Sequence, residues 1–175
     1  MDTCCTNFFE VVEFAKLMVY TFQLVPSDQS YTVVEFASGA SLASDVMISP
    51  EEALEALDGL AYSGGLTNHA EAFAVCRESS SLFRKDLILL ITDGDPSEPG
   101  DSPRVAAEEA AAEAKAGGAS IIPVMIVPKG MAALNPETVT YLKEISSDGT
   151  IFDVSDFSVL GSLRDSLLAQ VSCQV

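Results

Sequence analysis

The sequence predicts an α/β domain: a doubly wound, mostly parallel sheet with helices on both faces. Three observations carry this expectation. Helical and strand-like segments alternate along all 175 residues, the pattern of chains built from strand–helix units. Two continuous apolar runs, residues 87–91 and 121–127, have the length of strands buried on both faces of a parallel sheet. The chain is 48% hydrophobic and long enough to bury a substantial core. No repeat or low-complexity linker divides it, so residues 1–175 read as one domain.

Residues 7–24 read as a helix, because Phe8, Val12, Ala15, Val19 and Phe22 recur at helical spacing and Thr6 or Asn7 can cap its start. Pro26-Ser27-Asp28-Gln29 breaks it. Residues 31–37 are rich in β-branched and aromatic types, and Ser38-Gly39-Ala40 turns the chain into a second strand over 41–47, forming a hairpin. Ser49-Pro50-Glu51-Glu52 supplies a cap, a proline at the first position and acids in the first turn of a helix ending near Gly59. A loop over 62–67 leads to a helix over 68–82. The run 87–92 is a strand, and 93–101 an acidic loop with proline and glycine. Alanine-rich residues 103–116 form a helix closed by Gly117-Gly118. A strand over 121–127, a helix over 136–146, an edge strand over 150–154 and a helix over 158–171 complete the series.

Nine Lys and Arg face 26 Asp and Glu, a net charge of −17. Such a surface repels phosphate backbones and anionic lipid, which argues against nucleic-acid and membrane-surface partners. It suits cations or basic partners, and equally a plain soluble surface. No stretch approaches the roughly 18 apolar residues of a membrane span. No basic segment followed by an apolar run opens the chain, so secretion would require a signal upstream. The four cysteines, Cys4, Cys5, Cys76 and Cys173, match no zinc spacing, and His69 is the only histidine. They do not make a disulfide scaffold, and they leave the compartment open.

In doubly wound sheets ligands bind at the carboxyl ends of the strands. Two segments fall there. Gly64-Gly65-Leu66-Thr67-Asn68-His69 delivers a hydroxyl from a glycine-permitted turn just before a helix. Leu89-Leu90-Ile91-Thr92-Asp93-Gly94-Asp95 is a buried strand ending in a carboxylate. Hard cations such as Mg²⁺ take oxygen ligands, keep several waters and are held by one or two carboxylates. Thr67 and Asp93 would supply part of such a site. Either motif alone also fits an ordinary turn.

The segment YSGGLTNHAEAF resembles the GGxTxxxxA pattern of von Willebrand factor type A domains, and LILLITDGDP resembles that family's strand ending in Thr-Asp-Gly. The order of elements agrees over essentially the whole chain. The resemblance implies a Rossmann-like fold and a metal-ion-dependent adhesion site, in which Thr67 ligates Mg²⁺ (or Mn²⁺ or Ca²⁺) and Asp93 acts on it directly or through water. It also implies a protein ligand whose carboxylate completes the coordination, and an extracellular or cell-surface setting.

Family members begin with an apolar strand ending in Asp-x-Ser-x-Ser. Here residues 1–14 look like the loop and helix that follow that motif, so the expected domain is N-terminally truncated at its central strand. A rival reading makes Asp2-Thr3-Cys4-Cys5-Thr6 a degenerate form of the motif. With the first strand absent, the chain as written is expected to be destabilised and to bind metal weakly or not at all. Some family members join their termini by a disulfide, so Cys173 either lacks a partner or is a free thiol.

Asp95, Glu98 and Asp101 read as a solvated acidic loop, with charge near the metal or contact with a basic ligand as the alternative. His69 reads as a helix-start residue with a solvated ring, or else as a ligand contact. Cys4 and Cys5 read as structural rather than nucleophilic, and Cys76 as core. The chain shows no glycine-rich phosphate loop after a strand, no base–nucleophile pairing and no cofactor fingerprint, so it is not expected to be an enzyme. The leading expectation is a protein-binding or adhesion module that depends on a divalent cation in its full-length form, through a site that is only partial here. The alternative is a cytoplasmic scaffold domain with a vestigial metal site, towards which the lack of any Asn-x-Ser/Thr acceptor leans.

Overall fold

A computed structural model describes residues 3–24, 29–80, 86–97, 100, 102–126 and 135–154. The described elements are α1 (Thr3–Phe22), β1 (Val34–Phe36), β2 (Ala40–Leu42), α2 (Pro50–Asp58), α3 (His69–Glu78), β3 (Leu87–Thr92), α4 (Pro103–Ala116), β4 (Ser120–Ile126), α5 (Pro136–Ile145) and β5 (Phe152–Val154). The expected last helix, 158–171, and Cys173 lie outside the described residues. No helix among those described is long and apolar enough to cross a membrane.

Strands β3, β4 and β5 form a parallel sheet in that order, with Leu87 opposite Ser120 and Val124 opposite Phe152. Alternation along β3 and β4 sends side chains to two faces. Leu90, Ile121 and Met125 pack with Phe73 of α3, Ala107, Ala111 and Ala114 of α4, and Tyr141, Leu142 and Ile145 of α5. Leu87, Leu89, Ile91, Ile122, Val124 and Ile126 pack against Phe14 and Met18 of α1. Helices therefore cover both faces, as the apolar runs require. The opposite side of α1 meets α2 and the hairpin region through Val12, Val19, Ala53 and Leu57.

The antiparallel hairpin pairs Val34 with Leu42 and Phe36 with Ala40. Its strands are shorter than the expected 31–37 and 41–47, because side-chain hydroxyls take backbone partners there. Ser44 Oγ accepts the Val33 N–H at 3.0 Å, and Thr32 Oγ1 accepts the Met47 N–H at 3.2 Å. Met47 sits in the left-handed region at φ 59°, and the pairing resumes only as an isolated bridge between Tyr31 and Ile48. Among the described residues β3 is paired on one side only, through β4.

Helix α1 begins at Thr3, not Asn7. Residues 3–6 are thus helical, while Asp2 of the alternative Asp2–Thr6 motif lies outside the described residues. The start of α2 is as expected: Ser49 Oγ accepts the Glu52 N–H at 3.2 Å, and the Glu52 carboxylate accepts the Ser49 N–H at 2.8 Å. The bond from the Ser49 backbone holds the Glu52 carboxyl below its ordinary pKa. Ser49→Ala is expected to cost about 1 kcal/mol in denaturant unfolding, the usual loss of an N-cap.

Candidate functional site

Parallel β3 delivers Asp93 at its carboxyl end, immediately after the ladder stops. The carboxylate is exposed and, among the described residues, makes no hydrogen bond or ion pair. Thr67 lies in the loop before α3, one residue ahead of the N-cap Asn68, whose side chain accepts the Glu71 N–H. Its hydroxyl is half-buried and likewise uncommitted among the described residues. The two loops are bonded to each other. The Thr67 N–H donates to Ser97 Oγ at 3.0 Å, and the Ser97 N–H donates to the Thr67 carbonyl at 2.9 Å. The structure therefore joins the two segments singled out in the sequence at one rim.

The Thr67 loop is also fixed to the hairpin tip. Leu66 N–H donates to Ser38 Oγ at 3.0 Å and Asn68 N–H to the Ala37 carbonyl at 2.8 Å. This close approach depends on Gly65, at φ +109°, where an added Cβ would fall 2.6 Å from Ser38 Oγ. Gly65→Ala is expected to destabilise the protein by roughly 1–3 kcal/mol in thermal unfolding, because it meets both backbone strain and that contact. Ser38 and Ser97 were not singled out in the sequence; short serines in polar loops carry no signal until their partners are known.

His69 is fully buried, with 0% exposure, which corrects the expectation of a solvated ring. Its Nδ1 lies 2.8 Å from the Tyr141 hydroxyl of α5, and its Nε2 lies 3.0 Å from Thr92 Oγ1 at the end of β3. The ring stacks on Tyr141 at an interplanar angle of 7° and meets the edge of Phe36. Burial pushes its pKa down to about 4, against the opposing pull of the Asp95 charge. Two satisfied ring nitrogens inside an apolar setting make this a neutral structural histidine and remove it from direct ligand contact.

Asp95 is not a free loop carboxylate either, being half-buried and bonded. Its Oδ2 accepts from Arg104 Nη2 of α4 and from Thr138 Oγ1 of α5, both at 2.8 Å. Its Oδ1 is buried without a hydrogen-bond partner among the described residues. Arg104 in turn lies 5.9 Å from the centre of the Tyr141 ring. Asp95 thus spends its charge in tying the loop after β3 to α4 and α5. Glu98 and Asp101 lie outside the described residues, as do the side chains of Cys4 and Cys5. Cys76 is only half-buried rather than core, though burial still raises its thiol pKa to about 11.

The oxygens at the rim suit a small hard cation. Asp93 offers a carboxylate and Thr67 a hydroxyl, both uncommitted among the described residues, and such ions tolerate waters in the remaining positions. Among the described residues no three His, Cys, Asp or Glu side chains gather into a metal cluster, so a site here would rest on one carboxylate, one hydroxyl and water.

A parallel sheet covered on both faces, with two oxygen-bearing loops joined at its carboxyl rim, defines a doubly wound α/β domain with a rim site. The von Willebrand factor type A domain family matches residues 5–166. The chain belongs to this family of protein-interaction and adhesion modules. Similar solved structures include the conserved hypothetical protein BatB of Bacteroides thetaiotaomicron, at TM-score 0.65 and 16% identity over 94% of this chain and 88% of that one. The PilB minor pilin of Streptococcus sanguinis, as a D319A mutant, aligns at TM-score 0.69 and 11% identity over 94% of this chain and 54% of that one. The manganese-loaded TRAP protein of Plasmodium vivax aligns at TM-score 0.57 and 16% identity over 77% of this chain and 53% of that one. At these identities the likeness is one of fold. No curated protein sequence matches the chain.

Proposed function

We propose that the domain is a divalent-cation-dependent protein-binding module, not an enzyme, with Thr67 and Asp93 as the protein's ligands to Mg²⁺, Mn²⁺ or Ca²⁺. The observation that carries this reading is the pair of oxygens, uncommitted among the described residues, on loops bonded to each other through Thr67 and Ser97. Manganese in the TRAP structure of the same fold supports it. A cation held by these two residues would supply the positive charge that attracts a carboxylate of a partner protein. The chain's own part is to hold the two loops in register and to keep the competing Asp95 carboxylate engaged with Arg104 and Thr138. An adhesion role at the cell surface follows from this reading as its natural setting.

With one protein carboxylate the affinity for cation alone is weak, so the test is a millimolar-range Mn²⁺ titration followed by the EPR signal of the free ion. Saturable binding by the wild-type chain that disappears in Asp93→Ala supports the reading. Binding equal in the two proteins, or none in either, sinks it and leaves metal-independent protein binding as the working function.

A further inference from the structure

Asp93 has no partner of its own among the described residues, so its direction is set by the turn that carries it. Thr92 Oγ1 clasps that turn, lying 3.3 Å from the Gly94 N–H and 3.2 Å from the Gly94 carbonyl. The same oxygen lies 3.0 Å from His69 Nε2. A hydroxyl has one proton to give and two lone pairs to accept with. All three contacts are satisfied together only when the hydroxyl donates to the Gly94 carbonyl and accepts from Gly94 N–H and from a protonated Nε2. His69 is then the Nε2–H tautomer, with Nδ1 accepting from the Tyr141 hydroxyl at 2.8 Å. The ring has no freedom to leave this arrangement, being fully buried between Phe36 and Tyr141.

We infer that His69 is a positioning residue for the rim site: by donating from Nε2 to Thr92 Oγ1 it fixes the rotamer that closes the Thr92–Gly94 turn and aims Asp93 outward. This rests on the proposed cation site for its purpose, though not for its geometry. His69 thereby joins α3, β3 and α5 behind the carboxylate, in the way that residues bonded to metal ligands orient them.

The test compares wild type with His69→Phe, Thr92→Val, the double variant and His69→Gln. Phe preserves the packing without a donor, Val is nearly isosteric with Thr, and the Gln amide can donate to Thr92 in place of Nε2. Two readouts are taken: Mn²⁺ affinity by EPR, and amide exchange at Gly94 relative to Ile122 and Val124 in the sheet. His69→Phe and Thr92→Val are each expected to weaken Mn²⁺ binding roughly 10- to 100-fold. Each should speed Gly94 exchange about tenfold relative to the sheet, the scale of one hydrogen bond. The double variant should be no worse than either single one, and His69→Gln should recover most of the loss. Unchanged relative exchange at Gly94, or a uniform rise across the sheet, overturns the inference. If wild type binds Mn²⁺ no better than Asp93→Ala, the cation reading alone fails, and Gly94 exchange still decides whether His69 holds the turn.

Discussion

Asp93→Ala is expected to abolish measurable cation binding while leaving the fold intact. The carboxylate supplies the only formal negative charge among the proposed ligands, and hard divalent ions depend on such charge to offset their lost water. Its removal should exceed the roughly 10- to 100-fold cost of losing an outer-shell partner. Stability should stay within about 0.5 kcal/mol of wild type, because the side chain is exposed and makes no hydrogen bond or ion pair among the described residues. Thr67→Ala should weaken binding less, since a water can replace a neutral hydroxyl. Asp95→Ala should show the opposite profile: it removes the acceptor that Arg104 and Thr138 share and leaves Arg104 only its longer pairing with Glu137, so it lowers the unfolding midpoint before it changes affinity. Parallel Mn²⁺ titrations and thermal melts of the three variants separate these outcomes. Equal affinity loss in Asp93→Ala and Asp95→Ala would count against the assignment of Asp93 as the ligand.

How much of this was legible follows from where each signal resides. The limits of β3 and α4 fall at the expected residues, 87–92 and 103–116, because a doubly buried strand and an alanine-rich helix with a proline start are specified by their own composition. The rim positions of Thr67 and Asp93, though not a role as ligands, were legible for a related reason: each sits where a glycine turn or a strand end forces a polar group onto the rim. The hairpin was overextended because the hydroxyls of Thr32 and Ser44 replace ladder contacts, which a β-branched pattern does not reveal. His69 was misread because its partners, Thr92 and Tyr141, are 23 and 72 residues away, and a histidine at a helix start looks solvated until a strand and a second helix close over it. The role of Asp95 was hidden likewise, its partner Thr138 lying 43 residues on.

The buried histidine should also make stability depend on pH in a definite direction. In the unfolded chain His69 binds a proton near its ordinary value of 6.5, whereas burial in the folded protein delays protonation to about pH 4. The folded state therefore binds fewer protons between these values, and stability falls as pH drops from about 6.5 to about 4. Its contribution is fully present above that window and changes no further below it. At about 1.4 kcal/mol per pH unit the total loss is about 3 kcal/mol, a large fraction of a small domain's stability. Other groups overlap. The net charge of −17 makes acidification relieve repulsion, while the Glu52 and Asp148 carboxyls, the latter against the opposing effect of burial, are held below their ordinary values by hydrogen bonds and lose that stabilisation as acid protonates them. The charge that acts on the ring is that of Asp95, itself paired with Arg104. The difference between wild type and His69→Gln cancels most of these terms. In urea unfolding from pH 7 to pH 4, the stability advantage of wild type over His69→Gln should shrink by about 3 kcal/mol. Parallel curves would mean that the ring is already charged in the fold or open to water, contrary to its hydrogen bonds with Thr92 and Tyr141.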